Sequence, residues 1–276
     1  MKIAIQGGPA SFHHIAANLY FKEEVEIKDC PTFEEVCQLV QNDEVDYGLL
    51  AIENSIAATI LLNYDLIRNY KLKIIGEQKI RIRQNLMALP GQKVEDLHKV
   101  MSHYMALIQC GEYLNHYPQI EQEKFHDTAD AAKEIRNKNL KGVGAIASDL
   151  AAELYGLEII APEIETIKEN YTRFYVLSKS HNHELHDRQA DKATICFTLP
   201  DKIGSLAEAL QIVVQNNINL TKIQSIPVIG EPENYRFYID CTWNEYTNII
   251  QCLAQLKKVI LNLEILGEYK NCPIPL

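Results

Sequence analysis

The chain has 276 residues, 47% of them hydrophobic, and carries 27 Lys and Arg against 37 Asp and Glu for a formal net charge of -10. That length suits two domains with cores of ordinary size. The acidic balance, without any Lys/Arg run, argues against a nucleic-acid partner.

Residues 2–6 read as a short buried strand that follows Met1 directly, where a signal peptide would place a charged and then a long apolar stretch. Gly7-Gly8-Pro9-Ala10-Ser11 forms a turn, and Ser11 can cap a helix from about Phe12 to Phe21. Thr32 and Glu35 make a capping box for a helix whose inner face is Val36, Leu39 and Val40. Tyr47 to Ile52 is a second buried strand, and Asn54 and Ser55 offer caps for a helix after it. Strand, polar turn and helix start recur, as in an α/β unit with its site at the strand ends. A long extended run, Leu72 to Leu89, can cross into a second lobe. Residues 92–147 read as that lobe, with a helix near 104–117, another from about Thr128, and a strand at Val143 to Ala147. The chain returns through Ile159 to Ser178. Two such lobes joined by two crossing strands form a cleft that can close on a ligand.

Residues 180–191 are polar and patternless, and read as a linker. His181, His183 and His186 lie there without a metal-ligand geometry, and the seven cysteines of the chain show no C-x-x-C or metal spacing. Beyond the linker, a strand at Thr194 to Leu199 precedes a helix at Ile203 to Asn216. Strands at Asn219 to Pro227 and Tyr235 to Thr242 lead to a helix from about Glu245 and a strand at Leu263 to Tyr269. The order βαββαβ matches a ferredoxin-like fold. No apolar stretch reaches the ~20 residues of a membrane span. A reduced cytoplasmic protein, with no membrane contact, is the expectation.

Several constellations can carry chemistry. Thr172 offers a hydroxyl donor and Arg173 a planar charged fork for a carboxylate. Glu53-Asn54-Ser55 follows a strand, where free N–H groups make an anion site or a plain helix cap. Ser102 can cap the next helix, His103 can reach a ligand, and Gln109 follows on that helix. Asp127 or Thr128 caps a third helix. Gly204-Ser205-Leu206 precedes a helix in the last domain, and Leu220 to Pro227 is either a binding strand or an edge strand ended by proline. No Ser-His-Asp order, P-loop or G-x-G-x-x-G is present.

Taken in order, these stretches resemble the prephenate dehydratases that carry a C-terminal ACT domain. The family's Thr-Arg-Phe is Thr172-Arg173-Phe174. Its Pro-Ile-Glu-Asn-Ser/Thr is Ala51-Ile52-Glu53-Asn54-Ser55, its Ser-His with downstream Gln is Ser102, His103 and Gln109, and its Thr-Ala is Thr128-Ala129. The ACT pattern is matched by Gly204-Ser205-Leu206 and by Asn219 to Pro227. The N-terminal loop departs from the family with Ala10 for Gly and His13 for a small hydroxyl residue. The ACT motif departs with Gln224 and Ile226 for Glu and Arg.

The resemblance implies a two-lobed, periplasmic-binding-protein-like α/β catalytic domain over 1–179, with lobes 1–76 plus 160–179 and 77–159. A linker at 180–191 and a ferredoxin-like ACT regulatory domain at 192–276 follow. It implies a carbon–oxygen lyase that converts prephenate to phenylpyruvate, CO2 and water without cofactor or metal. A chorismate mutase segment is absent from the sequence, so a monofunctional enzyme is expected. Thr172, Glu53, Asn54, Ser102 and Gln109 are the implied catalytic set. Ser55, His103, Thr128, Arg173, Phe174 and Ser11 are the implied substrate contacts. Gly204, Ser205, Leu206, Asn219, Gln224 and Ser225 are the implied site for phenylalanine as feedback inhibitor, in a homodimer or homotetramer built through the ACT domain. The alternatives are arogenate dehydratase and a non-catalytic cytoplasmic sensor of amino acids or prephenate.

Overall fold

The computed structural model describes residues 1–179, 190–228, 230–231 and 234–275. Most of the expected linker, with its three histidines, lies outside the described residues. The first lobe contains β1 (Lys2–Gln6), α1 (Phe12–Phe21), β2 (Glu26–Cys30), α2 (Phe33–Gln41), β3 (Tyr47–Asn54), β4 (Ala58–Thr59), α3 (Leu62–Asn69) and β5 (Leu72–Arg81). The second contains β6 (Asn85–Ala88), β7 (Lys99–His103), α4 (Tyr104–Gln109), α5 (Gly111–Leu114), β8 (Glu121–Phe125), α6 (Thr128–Lys138), β9 (Val143–Ala147), α7 (Asp149–Tyr155) and β10 (Glu158–Ala161). The chain then returns in β11 (Tyr171–Lys179). A third unit follows: β12 (Lys192–Thr198), α8 (Ser205–Gln215), β13 (Asn219–Pro227), β14 (Tyr235–Thr242), α9 (Tyr246–Leu256) and β15 (Leu261–Tyr269).

The first sheet has the order β2-β1-β3-β11-β5, with β4 added to β3; the second has the order β10-β6-β9-β7-β8. Both mix parallel and antiparallel pairs. The third sheet, β13-β14-β12-β15, is antiparallel throughout. Among the described residues, no helix is long and apolar enough to cross a membrane.

Local chemistry sets the helix starts. Ser11 accepts from the His14 N–H, Thr32 from the Glu35 N–H, and Asp127 from the Ala129 and Asp130 N–H groups. Each satisfies donors that the first turn leaves open. The helix expected after Asn54-Ser55 does not form there. Asn54 ends β3, its Oδ1 accepts the Ile56 and Ala57 N–H groups, and the chain turns back into β4 before α3 begins. The helix expected over 104–117 is divided at Cys110 into α4 and α5. The first sheet keeps β5 to Arg81, so the crossing to the second lobe lies at 82–84, later than the expected boundary at 76/77. The edge strands β2 and β8 read EIKDC and EQEKF, without the alternation that marks a half-buried strand, and neither is legible from its residues alone.

The central strands of the third sheet are packed on both faces. One face holds Ile195, Phe197, Ile239 and Cys241 against Ile249, Cys252 and Leu253 of α9. The other holds Cys196, Tyr238, Leu266 and Tyr269 in one core with Tyr64, Ile67, Ile74 and Tyr175 of the first lobe. β15 comes so close to β5 that a Cβ at Gly267 would overlap the Ile74 carbonyl oxygen. The N-terminal loop is gripped by the second lobe. Ala10 takes a left-handed φ of 66° and packs beside Ala129 and Ala132, while Ser148 Oγ donates to its carbonyl at 2.8 Å.

Candidate functional site

A cavity of about 520 Å³ lies between the lobes, walled by the α1 start, the ends of β3 and β11, the crossing strands, and the starts of α4 and α6. Thr172 and Asn54 stand opposite each other in β11 and β3 and both line it. Asn54 Nδ2 donates to Thr172 Oγ1 at 2.9 Å and to Asn170 Oδ1 at 2.7 Å. The Asn54 amide cannot be flipped without losing the two backbone N–H groups that its Oδ1 accepts. Thr172 Oγ1 therefore receives a hydrogen bond, which leaves its own proton for a ligand. Asn170 Nδ2 donates to Gln109 Oε1 at 3.0 Å, so the crossing strand, α4 and the Asn54–Thr172 pair form one chain of hydrogen bonds. Gln84 Nε2 reaches the same Gln109 oxygen at 3.4 Å.

Ser11, His103, Gln109 and Thr128 also line the cavity. Ser11 is the α1 cap, and His103 Nδ1 caps α4 by accepting the Met105 N–H. His13 is the wall that the sequence flagged as a departure. Its ring lies edge-on to Phe174 at 4.8 Å and tilted to Phe33 at 5.6 Å, and its Nε2 has no partner. Burial lowers its pKa to about 3, so the ring is neutral. Phe174 supports that wall from within the core and does not itself line the cavity.

Other expected site residues are placed elsewhere. Strand alternation turns Arg173 and Glu53 to the opposite face of the sheet from Thr172 and Asn54. There the Arg173 guanidinium meets Glu77 at 2.6 Å, Asp240 at 2.5 Å and Glu53 at 3.4 Å, with the Tyr269 hydroxyl at 3.2 Å. Lys192 holds Glu77 at 2.9 Å, and Lys222 holds Glu53 at 2.5 Å. Arg173 is 4% exposed and Asp240 1%, so this network sits in the seam between the first lobe and the third sheet. Burial opposes the charge on Asp240, yet Arg173 and the Thr194 hydroxyl hold its pKa below the ordinary carboxylate value.

Ser102 is fully buried and donates to the Ile146 carbonyl at 2.6 Å, joining β7 to β9. Ser55 Oγ donates to the Glu169 carbonyl and accepts the Tyr171 N–H, tying the returning strand to the end of β3. Neither lines the cavity.

In the third unit, Gly204 (φ 87°), Ser205 and Leu206 line a hollow of about 260 Å³. Asn219 lines a different hollow of about 420 Å³. Gln224 and Ser225 line neither of these, and as successive strand residues they point to opposite faces. Within one chain the six expected effector residues do not converge.

The sequence reading missed Gln84, which lines the cavity, and Asn170, which stands behind it in the Asn54–Gln109 hydrogen-bond chain, and it read Asp127 only as a cap. Asn170 is fully buried though polar, directly before the strand that carries Thr172. Its only signal was that adjacency. Gln84 had none.

The model of the family described as "Prephenate dehydratase" matches residues 3–182. Arogenate dehydratase 2 of Petunia hybrida is 35% identical over 98% of this chain and 72% of its own. The prephenate dehydratase of Lactococcus lactis subsp. cremoris is 34% identical over 98% of this chain and 97% of its own. Among solved structures, GqqA, described as a novel type of quorum quenching acylase, superposes with TM-score 0.89 at 28% identity, over 99% of each chain. The prephenate dehydratase of Arthrobacter aurescens in complex with L-Phe superposes with TM-score 0.87 at 26% identity, over 98% of this chain and 90% of its own. The family model spans most of the chain and relatives above 30% identity span nearly all of it: the chain belongs to the prephenate dehydratase family.

Proposed function

We propose that the cleft performs the decarboxylative dehydration of prephenate to phenylpyruvate, with Thr172 as hydrogen-bond donor to the departing ring hydroxyl. The observation that carries this is the 2.9 Å bond from Asn54 to Thr172 Oγ1. It orients the hydroxyl and reserves its proton for a ligand. In the reaction the C–C bond to the ring carboxylate breaks. Its electron pair enters the ring, and the C–O bond breaks as hydroxide leaves. Aromatisation supplies the driving force, so the protein needs to hold the substrate and ease hydroxide departure. Thr172 donates to the developing hydroxide, and Asn54 stabilises the negative charge that builds on Thr172. The carboxylates face neutral donors and the N-terminus of α1, which favours anions. This holds the ring carboxylate without the strong ion pair that would stabilise the ground state before its charge leaves with CO2.

The likeness to an acylase does not change this reading. In the cavity, among the described residues, no Ser or Thr hydroxyl is hydrogen-bonded to an imidazole or carboxylate, the pairing that activates a nucleophile for acyl transfer.

The test is incubation of purified protein with prephenate, following phenylpyruvate. Thr172→Ala is the control. Absence of product from wild type, or full activity in Thr172→Ala, would refute the assignment.

Regulation follows as part of the proposal. Among the described residues β13 is an edge of the third sheet, and a second copy could pair along it. The ACT assignment and phenylalanine inhibition rest on the sequence motif, the βαββαβ order and the L-Phe complex of the Arthrobacter relative.

A further inference from the structure

The third unit reaches the wall of the cleft through one side chain. The turn at 55–60 runs from the end of β3 through β4 and places Ala57 and Ile60 in that wall. Its Ile56 and Ala57 N–H groups are the two that fix the Asn54 amide, and so the hydrogen bond that Asn54 gives to Thr172. Lys222 of β13 holds this turn from outside the cleft, whose wall it does not enter. Its Nζ meets Glu53 Oε2 at 2.5 Å and donates to Thr59 Oγ1 at 3.2 Å, and Glu53 and Thr59 stand opposite each other in the β3–β4 pair. The ammonium lies 5.2 Å from the centroid of the Tyr64 ring, and the side chain is 9% exposed. Burial opposes the charge on Glu53, yet Arg173 and Lys222 hold its pKa below the ordinary carboxylate value, so the pair is ionic. Without Lys222, the ion pair left to Glu53 among the described residues is the longer one to Arg173, at 3.4 Å.

A bulge in β13 aims this lysine. Leu220 pairs with Cys241 and Lys222 with Asp240, so Thr221 is an extra residue in the strand. In a regular strand Leu220 and Lys222 would share one face. Here Leu220 joins the core beneath α8 and α9, while Lys222 stands beside Asp240 on the side of the seam. We propose that Lys222 is a positioning residue for the reaction, clamping the 55–60 turn across Glu53 and Thr59 and so keeping the Asn54 amide aimed at Thr172. This rests on the dehydratase reading of the cleft. When the clamp is lost the turn opens, and the Asn54 amide loses its two N–H anchors. Thr172 then loses the bond that orients its hydroxyl. The step affected is departure of the ring hydroxyl, so the loss falls on kcat more than on KM.

The experiment is steady-state kinetics of the full chain on prephenate for wild type, Lys222→Met, Lys222→Arg and Thr59→Val, with thermal unfolding of each and amide hydrogen exchange at Ile56 and Ala57. Met keeps the length of the side chain and removes its charge, Arg restores the charge, and Val removes the second contact with every charge in place. Lys222→Met, assayed well below its melting temperature, is expected to lose roughly tenfold in kcat with a smaller change in KM. Both amides should exchange faster in it, a local opening that a purely structural role in the seam would not produce. Lys222→Arg should recover most of kcat, and Thr59→Val should lose about threefold. A folded Lys222→Met with wild-type kcat, or with wild-type exchange at both amides, would overturn the inference. Should Lys222→Met fail to fold, Thr59→Val decides: wild-type kcat and exchange there overturn it, and loss of both sustains it. Absence of product from wild type would instead bring down the dehydratase reading, and this inference with it.

Discussion

At the scale of single residues, function turns on how neighbours fix a side chain rather than on its identity alone. Thr172 has no useful acidity, and what sets it apart is the Asn54 amide held from behind by two backbone N–H groups. Thr172→Ala is expected to lower kcat by roughly 10²–10⁴ with a smaller change in KM, since the hydroxyl acts mainly in the transition state; steady-state kinetics decide it. His13 makes a second, thermodynamic prediction. In the folded chain its imidazole is neutral down to about pH 3, whereas unfolded it protonates near 6.5. Between those values the unfolded chain binds the extra proton, so stability falls as pH drops through that window, by at most about 1.4 kcal/mol per pH unit. His13→Phe should flatten this slope, because Phe fills the space between Phe33 and Phe174 and does not titrate. Urea unfolding of both proteins at about pH 6.5 and pH 5 measures it. Parallel loss of stability in the two would show that His13 does not carry the effect.

At the scale of the element, β11 is the strand on which the molecule depends. Its even residues Thr172, Phe174 and Val176 face the cleft and the α1 core, while Arg173, Tyr175 and Leu177 face the α2, α3 and third-sheet side. One strand therefore places a cleft hydroxyl and anchors the third unit in adjacent positions. Asp240→Ala would leave the buried Arg173 guanidinium without its 2.5 Å partner, while Glu77 and Glu53 remain. The expected cost is about 3 kcal/mol, the lower end for breaking a buried pair, read as a lower urea midpoint. An unchanged midpoint would mean that the seam does not depend on this network. Arg173→Lys should lower stability similarly and leave KM closer to wild type than a carboxylate clamp would, because Lys cannot hold Glu77 and Asp240 at once. A KM that rises many-fold at unchanged stability would return Arg173 to the substrate.

At the scale of the whole molecule, the third sheet is docked on the first lobe through an apolar and ionic seam, and among the described residues its β13 edge pairs only with β14. Ile223 on that edge and Val214 on α8 are 46% and 71% exposed. Pairing of two β13 edges would cover both strand and side chains. Light scattering at micromolar concentration should therefore give at least a dimer, and a mass of 31.5 kDa, that of one chain, would contradict it. Phenylalanine should bind across that pairing and inhibit, with the coupling of about 1–3 kcal/mol usual for such effectors. Calorimetry showing no heat at millimolar phenylalanine, together with undiminished activity, would remove the regulatory claim and leave the catalytic one intact.

The sequence by itself determined the family, the strand–turn–helix rhythm, and the caps at Ser11, Thr32 and Asp127, because these depend on short-range chemistry: hydrophobic period, turn residues and first-turn acceptors. It also contained the Thr172 and Asn54 pair, as two motifs far apart in the chain. It could not say which neighbours share their face. Glu53 adjoins Asn54 and Arg173 adjoins Thr172 in the chain, yet only the pairing of β3 with β11 decides that Glu53 and Arg173 turn away to the seam. Asn170, Gln84 and Gln109 meet only because the crossing segments bring distant stretches together, and the charge of the cleft is the sum of residues from many separate elements. Those are long-range facts, settled by how sheets pair and pack rather than by what any window of residues prefers.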